Sequence, residues 1–319
     1  MKTAHAGLVS WNEDKRKPRL TGIPGTGDNT GMTFTHCSIV GLGLLGGSLA
    51  IDLRHHFPRM TLTGIARRRK TLEDAAVLRR DGAAVFTHLS QELSAIRGAD
   101  LIIFCTPVQT VIQQLAEIAP FVSPGAVVTD VGSTKRMVMN AAATVLPAGV
   151  CFVGGHPMAG SERAGLSHAR AGLFRDAAWA LCAPAGAEEA ADRVSAVVEA
   201  IGAHPLRIDA ELHDQLVALS SHLPHVVACA LAMQVLGSPR AEAARAFIAG
   251  GFRDTTRIAA ANTAMWRDIC LTNRDNIVRE LNEMIAALEG WRDALRNGDA
   301  PHLEVLLARA HTLREELNS

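Results

Sequence analysis

The 319-residue sequence predicts a two-domain α/β protein, in which a doubly wound parallel sheet is followed by an all-helical domain. Three observations support this fold class. Short apolar runs alternate with helical segments from Phe34 onwards, a glycine-rich turn follows the first run, and strand-like runs end near Asp209. We expect a mobile tail over residues 1–33, a first domain over 34–208 and a helical domain over 209–319.

The first domain is predicted from apolar runs that are separated by helical spacing. Buried parallel strands read as continuous apolar runs, because helices cover both faces of their sheet. Pro107 opens one of the intervening helices, where its missing N–H costs nothing. The predicted strands cover residues 37–40, 60–65, 101–105, 126–131 and 151–153.

The second domain shows only helical periodicity. The predicted helices cover residues 210–236, 241–249, 265–296 and 301–317, with Gly and Pro or Asn and Gly between them. Long helices with apolar residues on more than one face often bury the excess against a second subunit. We therefore expect an all-helical C-terminal dimerisation domain and a homodimer.

Composition excludes several classes of partner. The chain has 32 Lys plus Arg and 32 Asp plus Glu, so no net charge attracts nucleic acid. We identify no apolar run near the ~20 residues of a membrane span. The six cysteines show no Cys-x-x-Cys spacing, which argues against a metal site and a disulfide framework. A cytoplasmic protein with a small-molecule partner is expected.

A glycine-rich turn predicts a dinucleotide site. Gly41, Gly43 and Gly46, with Leu44 and Leu45 before the last, form Gly-x-Gly-x-x-Gly directly after a predicted strand and open a helix. In that context the glycines allow a tight turn, close approach to a pyrophosphate and helix–strand packing. This predicts a Rossmann-type domain; the alternative is a glycine-rich turn without a ligand.

The end of the second predicted strand favours NADP. NAD sites usually place an acid there for the ribose 2′-hydroxyl, but this chain has Ala66, followed by the cations Arg67 and Arg68. Cations at this point suit a 2′-phosphate. The alternative is a solvated basic helix start, and NAD stays possible as cofactor.

Two residues are candidates for catalysis. His156 lies among glycine and alanine residues, so a substrate can approach its imidazole, which titrates near neutral pH and can act as a general base. The alternative is a histidine satisfied inside a loop. Ser133 follows a predicted strand at the sheet edge where ligands bind in open α/β folds.

The helical domain holds candidates for substrate binding. His222 and His225 flank Pro224, which is expected to bend the helix. They are candidates for contact with an anionic substrate, for core or capping roles, or for metal ligation, although no third ligand is evident. Arg257 suits a carboxylate, with a surface ion pair to Asp254 or Glu162 as the alternative.

Seven motifs together resemble the prephenate/arogenate (cyclohexadienyl) dehydrogenase family of tyrosine biosynthesis. They cover residues 34–296 in order and read GLGLLGGS, CTPV, DVGSTK, GGHPMAGSE, SHLPH, GFRDTTR and MWRD. The resemblance implies an oxidative decarboxylation. Hydride leaves the ring carbon that bears the 4-hydroxyl, the ring carboxylate departs as carbon dioxide, and the ring becomes aromatic.

The resemblance also implies roles for single residues. His156 matches the base that takes the 4-hydroxyl proton, and Ser133 matches a serine that orients this histidine and the nicotinamide. His225 and Arg257 match positions that face substrate carboxylates. Further matches are Ser221 in the same pocket, Glu162 as an acid that pairs with Arg257, and Thr106 and Pro107 beside the cofactor.

Two other readings stay open at this point. The chain is alternatively another NADP-dependent dehydrogenase of small hydroxy acids, or a non-enzymatic NADP-sensing regulator. The former typically uses a helical lysine as acid and base, and the latter is expected to lose polar site residues. The sequence does not separate prephenate from arogenate, although His225 slightly favours prephenate.

Overall fold

A computed structural model of the protein describes residues 34–160 and 163–317. The predicted mobile tail over residues 1–33 lies outside the described residues, as does Glu162. The described residues as far as Asn282 belong to one compact unit, which contains every strand described below.

An eight-stranded sheet forms the centre of this unit, and its strand order is β10-β9-β8-β7-β6-β1-β2-β5. Two short strands, β3 and β4, pair separately. The strands are β1 (His36–Val40), β2 (Thr61–Ile65), β3 (Arg79–Arg80), β4 (Ala83–Ala84), β5 (His88–Ser90), β6 (Leu101–Phe104), β7 (Val127–Asp130), β8 (Cys151–Pro157), β9 (Ala178–Cys182) and β10 (His204–Arg207).

The described residues also form twelve α-helices. They are α1 (Leu44–His56), α2 (Arg69–Ala76), α3 (Val108–Ile118), α4 (Arg136–Val145), α5 (Glu188–Ala200), α6 (Ala210–Val217), α7 (Leu223–Leu236), α8 (Ala241–Arg245), α9 (Gly250–Thr256), α10 (Thr263–Thr272), α11 (Arg274–Asn297) and α12 (Ala300–Glu316). Residues 283–319 belong to a second compact unit, whose described part is the end of α11 together with α12.

Two hydrophobic clusters confirm the doubly wound architecture. Ile103 on β6 packs in a cluster with Leu49 of α1, while its neighbour Ile102 packs in a second cluster with Val111 of α3. Successive side chains of a strand point to opposite faces, so both faces of the sheet are buried. The five predicted strands are all present, within two residues of their expected bounds except at the end of β8.

Strand β8 extends beyond its predicted end at Val153 and includes His156. The strand continues to Pro157 and pairs antiparallel with β9, with His156 opposite Ala180. This antiparallel pair makes the sheet mixed, whereas the sequence predicted a purely parallel one. The apolar pattern stops at Val153, because Gly154 and Gly155 carry no side chain; a Cβ on Gly155 would lie 2.4 Å from the Asp130 carbonyl oxygen.

The helical prediction beyond Asp209 is confirmed. The predicted helix over 210–236 is interrupted by a π-helical turn over Ala218–His222. This turn ends directly before Leu223 and Pro224, where α7 begins. Proline lacks the N–H that a continuous helix needs, so the hydrogen-bond pattern changes there.

The same stretch bears on the expectation that the chain has no membrane span. Ala210–Leu236 is long and apolar enough to cross a membrane by length and composition. A window of 18 residues within it has a mean hydropathy of 1.7 and is 33% buried. However, it also carries the buried polar residues His213, Asp214, His222 and His225. His213, Asp214 and His222 have hydrogen-bond partners, as is typical of polar groups in a helix that packs inside a protein, whereas Nδ1 of His225 has none among the described residues.

Candidate active site

A cavity of about 610 Å³ lies at the carboxyl ends of β1, β2 and β6. Gly41 and Gly43 line it from the turn after β1, and Thr106 and Pro107 line it from the segment after β6. The N-terminus of α1 follows Gly43 directly, so its free N–H groups can face an anion. This is the position that open α/β sheets use for dinucleotides.

The glycine turn fits a pyrophosphate. Gly41 has φ +100°, and a Cβ on Gly46 would lie 2.1 Å from the Gly41 carbonyl oxygen, so both positions require glycine. A Cβ on Gly43 would meet nothing within 4 Å and would instead occupy the cavity. Leu44 and Leu45 do not line the cavity; they belong to the first turn of α1, where Leu44 is buried.

The other end of the cavity is basic and solvent-facing. Ala66 is buried, and the exposed Arg67 and Arg68 line the cavity beside it. Neither arginine forms an ion pair with a described carboxylate, and Gln91 Nε2 donates to the Arg67 carbonyl oxygen at 2.7 Å. The carboxylates of Glu92 and Glu117 belong to the same lining.

His156 belongs to a cluster of histidines near the carboxyl end of β8. Its ring is partly buried, and its Nδ1 lies 2.9 Å from Nε2 of His213. Burial, followed by the neighbouring His213 and Lys135, holds the pKa of His156 well below its usual value. The imidazole is therefore neutral at neutral pH, which is the form that a general base needs.

His213 and Asp214 connect His156 to helix α4. His213 Nδ1 lies 2.9 Å from Oδ1 of Asp214, which also accepts from the Lys135 N–H at 2.7 Å. The other carboxylate oxygen accepts from the Arg136 N–H at 3.0 Å. Asp214 thus caps the first turn of α4 from helix α6, and its charge favours that helix end.

A second buried ion pair fixes the backbone around His156. Lys135 Nζ contacts Asp130 Oδ2, and both side chains are fully buried. Asp130 also accepts from the Gly132 N–H at 2.9 Å and from the Gly155 N–H at 3.1 Å. Asp130 therefore ties the loop that carries Ser133 to the strand that carries His156.

Two more histidines complete the cluster. His222 Nδ1 accepts from Asn273 Nδ2 at 3.1 Å, and the same amide donates to the Asp214 carbonyl oxygen at 2.7 Å. Burial lowers the pKa of His222 to about 4. His225 stacks on Trp266 with ring centroids 3.4 Å apart, and burial lowers its pKa as well.

These partners bear on the metal alternative for His222 and His225. No group of three or more His, Cys, Asp and Glu residues in the described chain is arranged to hold a metal ion. The two rings instead contact Asn273 and Trp266.

Other predicted residues are not joined to this cluster by hydrogen bonds. Ser133 is half-buried, and within the described chain its hydroxyl forms no hydrogen bond, so the predicted contact with His156 stays a prediction. Ser221 is exposed in the π-helical turn. Arg257 is exposed in the turn Arg257–Ala260, which packs against α7. Arg257 forms no ion pair with Asp254, and Glu162 lies outside the described residues.

The sequence analysis missed His213, Asp214 and Asn273. The adjacent His-Asp pair at the start of α6 has no distinctive spacing, and Asn273 lies between two helices, where it resembles a cap. Only the long-range hydrogen bonds identify them, because their partners lie 51 to 79 residues away in the chain.

Comparisons with known proteins match two successive parts of the chain to one family. Residues 49–206 match the family model of the prephenate dehydrogenase nucleotide-binding domain, and residues 209–309 match that of the prephenate dehydrogenase dimerization domain. The prephenate dehydrogenase of Bacillus subtilis is 34% identical over 282 residues, which are 88% of this chain and 75% of that relative.

Solved structures show the same relationship. Prephenate dehydrogenase from A. aeolicus, in complex with hydroxyphenyl propionate and NAD+, superposes with a TM-score of 0.81 at 26% identity, covering 90% of this chain and 99% of that one. Arogenate dehydrogenase from Synechocystis has a TM-score of 0.76 at 30% identity, covering 88% and 99%. With both domains matched in order, the chain belongs to the prephenate dehydrogenase family and is an oxidoreductase with a nucleotide-binding domain and a dimerisation domain.

Proposed function

We propose that this protein catalyses the NADP-dependent oxidative decarboxylation of prephenate to 4-hydroxyphenylpyruvate, and that it also accepts arogenate, which would give tyrosine. The observation that carries the proposal is the geometry of the His156 ring, which lies near the carboxyl end of β8 in a cluster of polar side chains. Its Nδ1 is engaged by His213, and its Nε2 makes no hydrogen bond with a described residue. That nitrogen is free to accept a proton from a substrate.

The reaction needs a base, but overall it neither consumes nor releases a proton. Bound nicotinamide supplies the acceptor for the hydride. The bond from the ring to its carboxylate breaks, the electron pair enters the ring, and hydride leaves the carbon that bears the hydroxyl. His156 accepts the hydroxyl proton as charge develops on that oxygen, and it returns the proton when the ring is aromatic.

Charged and polar residues of the helical region would hold the substrate. Prephenate carries two carboxylates, and we assign Arg257 and His225 to them, because a guanidinium fork and an imidazole are good carboxylate partners. Ser221 and Glu162 are assigned to the same pocket, and Ser133 to the contact between His156 and the nicotinamide. The packing of the Arg257 turn against α7, which carries His225, supports this assignment.

The cofactor preference for NADP is supported by the charges beside Ala66. A carboxylate at that position would repel a 2′-phosphate, and Arg67 and Arg68 line the cavity without carboxylate partners among the described residues. We expect Arg67→Ala to weaken NADP by about tenfold and to leave NAD almost unchanged, since the lost contact is charge-assisted. Arg69→Ala is the matched control, because Arg69 pairs with Glu73 and does not line the cavity.

We also propose a cytoplasmic homodimer. Met233, Phe247 and Leu271 are 74%, 87% and 57% exposed in the single chain, and all three lie in the part that matches the dimerisation domain. Apolar side chains of this size gain by burial in a subunit interface. Sedimentation of the full chain tests the proposal; a fully active monomer at assay concentrations would contradict it.

One experiment tests the reaction and the cofactor together. NADPH and NADH formation are followed by absorbance, with prephenate and with arogenate as substrates. We expect the highest kcat/KM for prephenate with NADP. A higher value with arogenate would assign the protein as an arogenate dehydrogenase, a higher value with NAD would reject the cofactor preference, and no turnover of either substrate would reject the function.

A further inference from the structure

We propose that His213 and Asp214 are positioning residues, which hold His156 in the tautomer whose Nε2 carries the free lone pair. This inference rests on the proposed function for its kinetic part, because it assumes that His156 is the base. The underlying statement about the tautomer concerns the protein alone.

The argument starts at Asp214. Its carboxylate is fully buried and accepts from the backbone N–H groups of Lys135 and Arg136, which are fixed by helix α4. An ionised carboxylate has no hydrogen to donate, so it can only accept hydrogen bonds. His213 Nδ1, 2.9 Å from the same oxygen as the Lys135 N–H, must therefore carry a hydrogen and donate it.

The state of His213 then determines the state of His156. A neutral imidazole has one N–H and one bare nitrogen, so a hydrogen on His213 Nδ1 leaves its Nε2 as an acceptor. His156 Nδ1 lies 2.9 Å from this nitrogen, so it must be the donor. The remaining nitrogen of His156, Nε2, is bare, as a general base requires.

The same chain stabilises the protonated base. When His156 accepts a proton at Nε2, its Nδ1–H still donates to His213, which in turn donates to the negative Asp214. The other charged and titratable neighbours are Lys135, whose charge is balanced by the buried Asp130, and His222. Asp214 is thus an anion that is linked to His156 by two hydrogen bonds through the ring of His213.

A carboxylate-to-amide change at Asp214 tests this arrangement. In Asp214→Asn an NH2 group in place of Oδ1 would donate to His213 Nδ1 and lose the hydrogen bond from the Lys135 N–H. This would move the hydrogen to Nε2 of His213 and from Nδ1 to Nε2 of His156. His156 would then lack its lone pair. We expect kcat to fall roughly 10²- to 10⁴-fold, as in catalytic triads that lose the orienting carboxylate. KM and cofactor affinity should change by less than about threefold.

The pH profile separates positioning from a merely structural role. Loss of the negative charge disfavours the His156 imidazolium, so the acid limb of kcat/KM should move to lower pH in Asp214→Asn. Asp81→Asn is the matched control, since Asp81 Oδ2 accepts from His55 Nδ1 at 2.7 Å in an exposed pair. We expect this control to keep wild-type kcat and the wild-type acid limb.

Variants of His213 keep the test decisive if Asp214→Asn fails to fold. A glutamine oxygen can replace Nε2 as the acceptor for His156, whereas leucine cannot, so His213→Gln should retain at least about tenfold more kcat than His213→Leu. Equal kcat in these two variants, or wild-type kcat in a folded Asp214→Asn, would overturn the proposal.

A spectroscopic readout is independent of turnover. Ring ¹⁵N resonances of histidine-labelled protein, assigned to His156 by their absence in His156→Asn, report which nitrogen carries the hydrogen. We expect a protonated Nδ1 and a bare Nε2 in the wild type, and the opposite or a mixture in Asp214→Asn. A wild-type Nε2–H would reject this inference. The expected tautomer without turnover of either substrate would instead reject the proposed function.

Discussion

The cofactor cavity and the histidine cluster are built in opposite ways. The cavity is formed by short segments of adjacent residues, such as the Gly41–Gly43 turn, and its arginines face solvent. The cluster joins strand β8 to helix α6, to the π-helical turn that carries His222 and to Asn273 between α10 and α11, and its polar groups are mostly buried and bonded to one another. The cavity thus depends on backbone shape, whereas the cluster depends on hydrogen bonds between distant segments.

This difference determines how each region should respond to substitution. Removing a solvated cation costs the protein little, because only one interaction is lost and water takes its place. A buried polar group that loses its partner leaves an unsatisfied donor or acceptor, which costs about 1–3 kcal/mol. We therefore expect changes of shape to damage the cavity and changes of hydrogen bonding to damage the cluster.

The largest expected effect is that of His156→Asn. General-base assistance typically contributes roughly 10² to 10⁴ in rate, so kcat should fall by that factor with little change in KM. In the wild type, kcat/KM should fall only below about pH 6.5, because burial lowers the pKa of His156. The acid limb should disappear in the variant.

His204→Asn provides the control for this substitution, because His204 is exposed on β10. It should keep wild-type kcat. A raised KM at unchanged kcat in His156→Asn would assign His156 to substrate binding instead of proton transfer.

Two glycine variants test whether backbone shape controls the cavity. In Gly46→Ala the new Cβ would lie 2.1 Å from the Gly41 carbonyl oxygen, so the domain should lose about 1–3 kcal/mol of stability. In Gly43→Ala the Cβ meets no atom within 4 Å, so stability should be unchanged while cofactor affinity falls about tenfold or more.

Thermal denaturation and cofactor titration of both variants measure this contrast. Wild-type cofactor binding by Gly43→Ala would show that the pyrophosphate does not approach this turn. An undisturbed melting temperature for Gly46→Ala would mean that the helix start can shift to relieve the close contact.

A smaller effect is expected at the exposed edge of the substrate region. Arg257→Lys keeps the charge but loses the planar fork, so KM for prephenate should rise about tenfold at nearly constant kcat. Arg253→Lys is the control, since Arg253 is an exposed arginine on the preceding helix α9. If both variants have the wild-type KM, Arg257 does not hold a substrate carboxylate.

The smallest effect concerns stability as a function of pH. The pKa of His222 is lowered to about 4 in the folded protein and returns to about 6.5 on unfolding, so the unfolded state binds the extra proton between these values. The free energy of unfolding should therefore be full above about pH 6.5 and fall on acidification. One histidine contributes up to about 1.4 kcal/mol per pH unit.

Denaturant unfolding between pH 7 and 5 measures this slope. His222→Gln should reduce the slope, since a glutamine oxygen can still accept from Asn273 but does not titrate. An unchanged slope would assign the acid sensitivity to other groups, of which His156 and His225 also have lowered pKa values.

Local patterns in the sequence determined the architecture and most of the cofactor site. Apolar runs predicted five of the eight strands of the sheet, because burial on both faces requires such runs, but they did not predict β5, β9 and β10. The glycine motif predicted the turn because its conformation is local. The position of Ala66 and Arg67 beside the cavity followed from the same strand-to-helix rule. The antiparallel pairing of β8 with β9 did not follow, because β9 lies about 25 residues later and glycines hide the strand pattern.

Only the tertiary structure determined the surroundings of His156. The sequence by itself identified His156 as a candidate base, but it did not identify His213 or Asp214, whose partners are 57 and 79 residues away. Helical periodicity indicates which face of α6 is buried, but it cannot indicate which polar atom of another segment contacts that face. The state of a histidine ring depends on that atom, since one donor or acceptor at hydrogen-bond distance decides where its hydrogen lies.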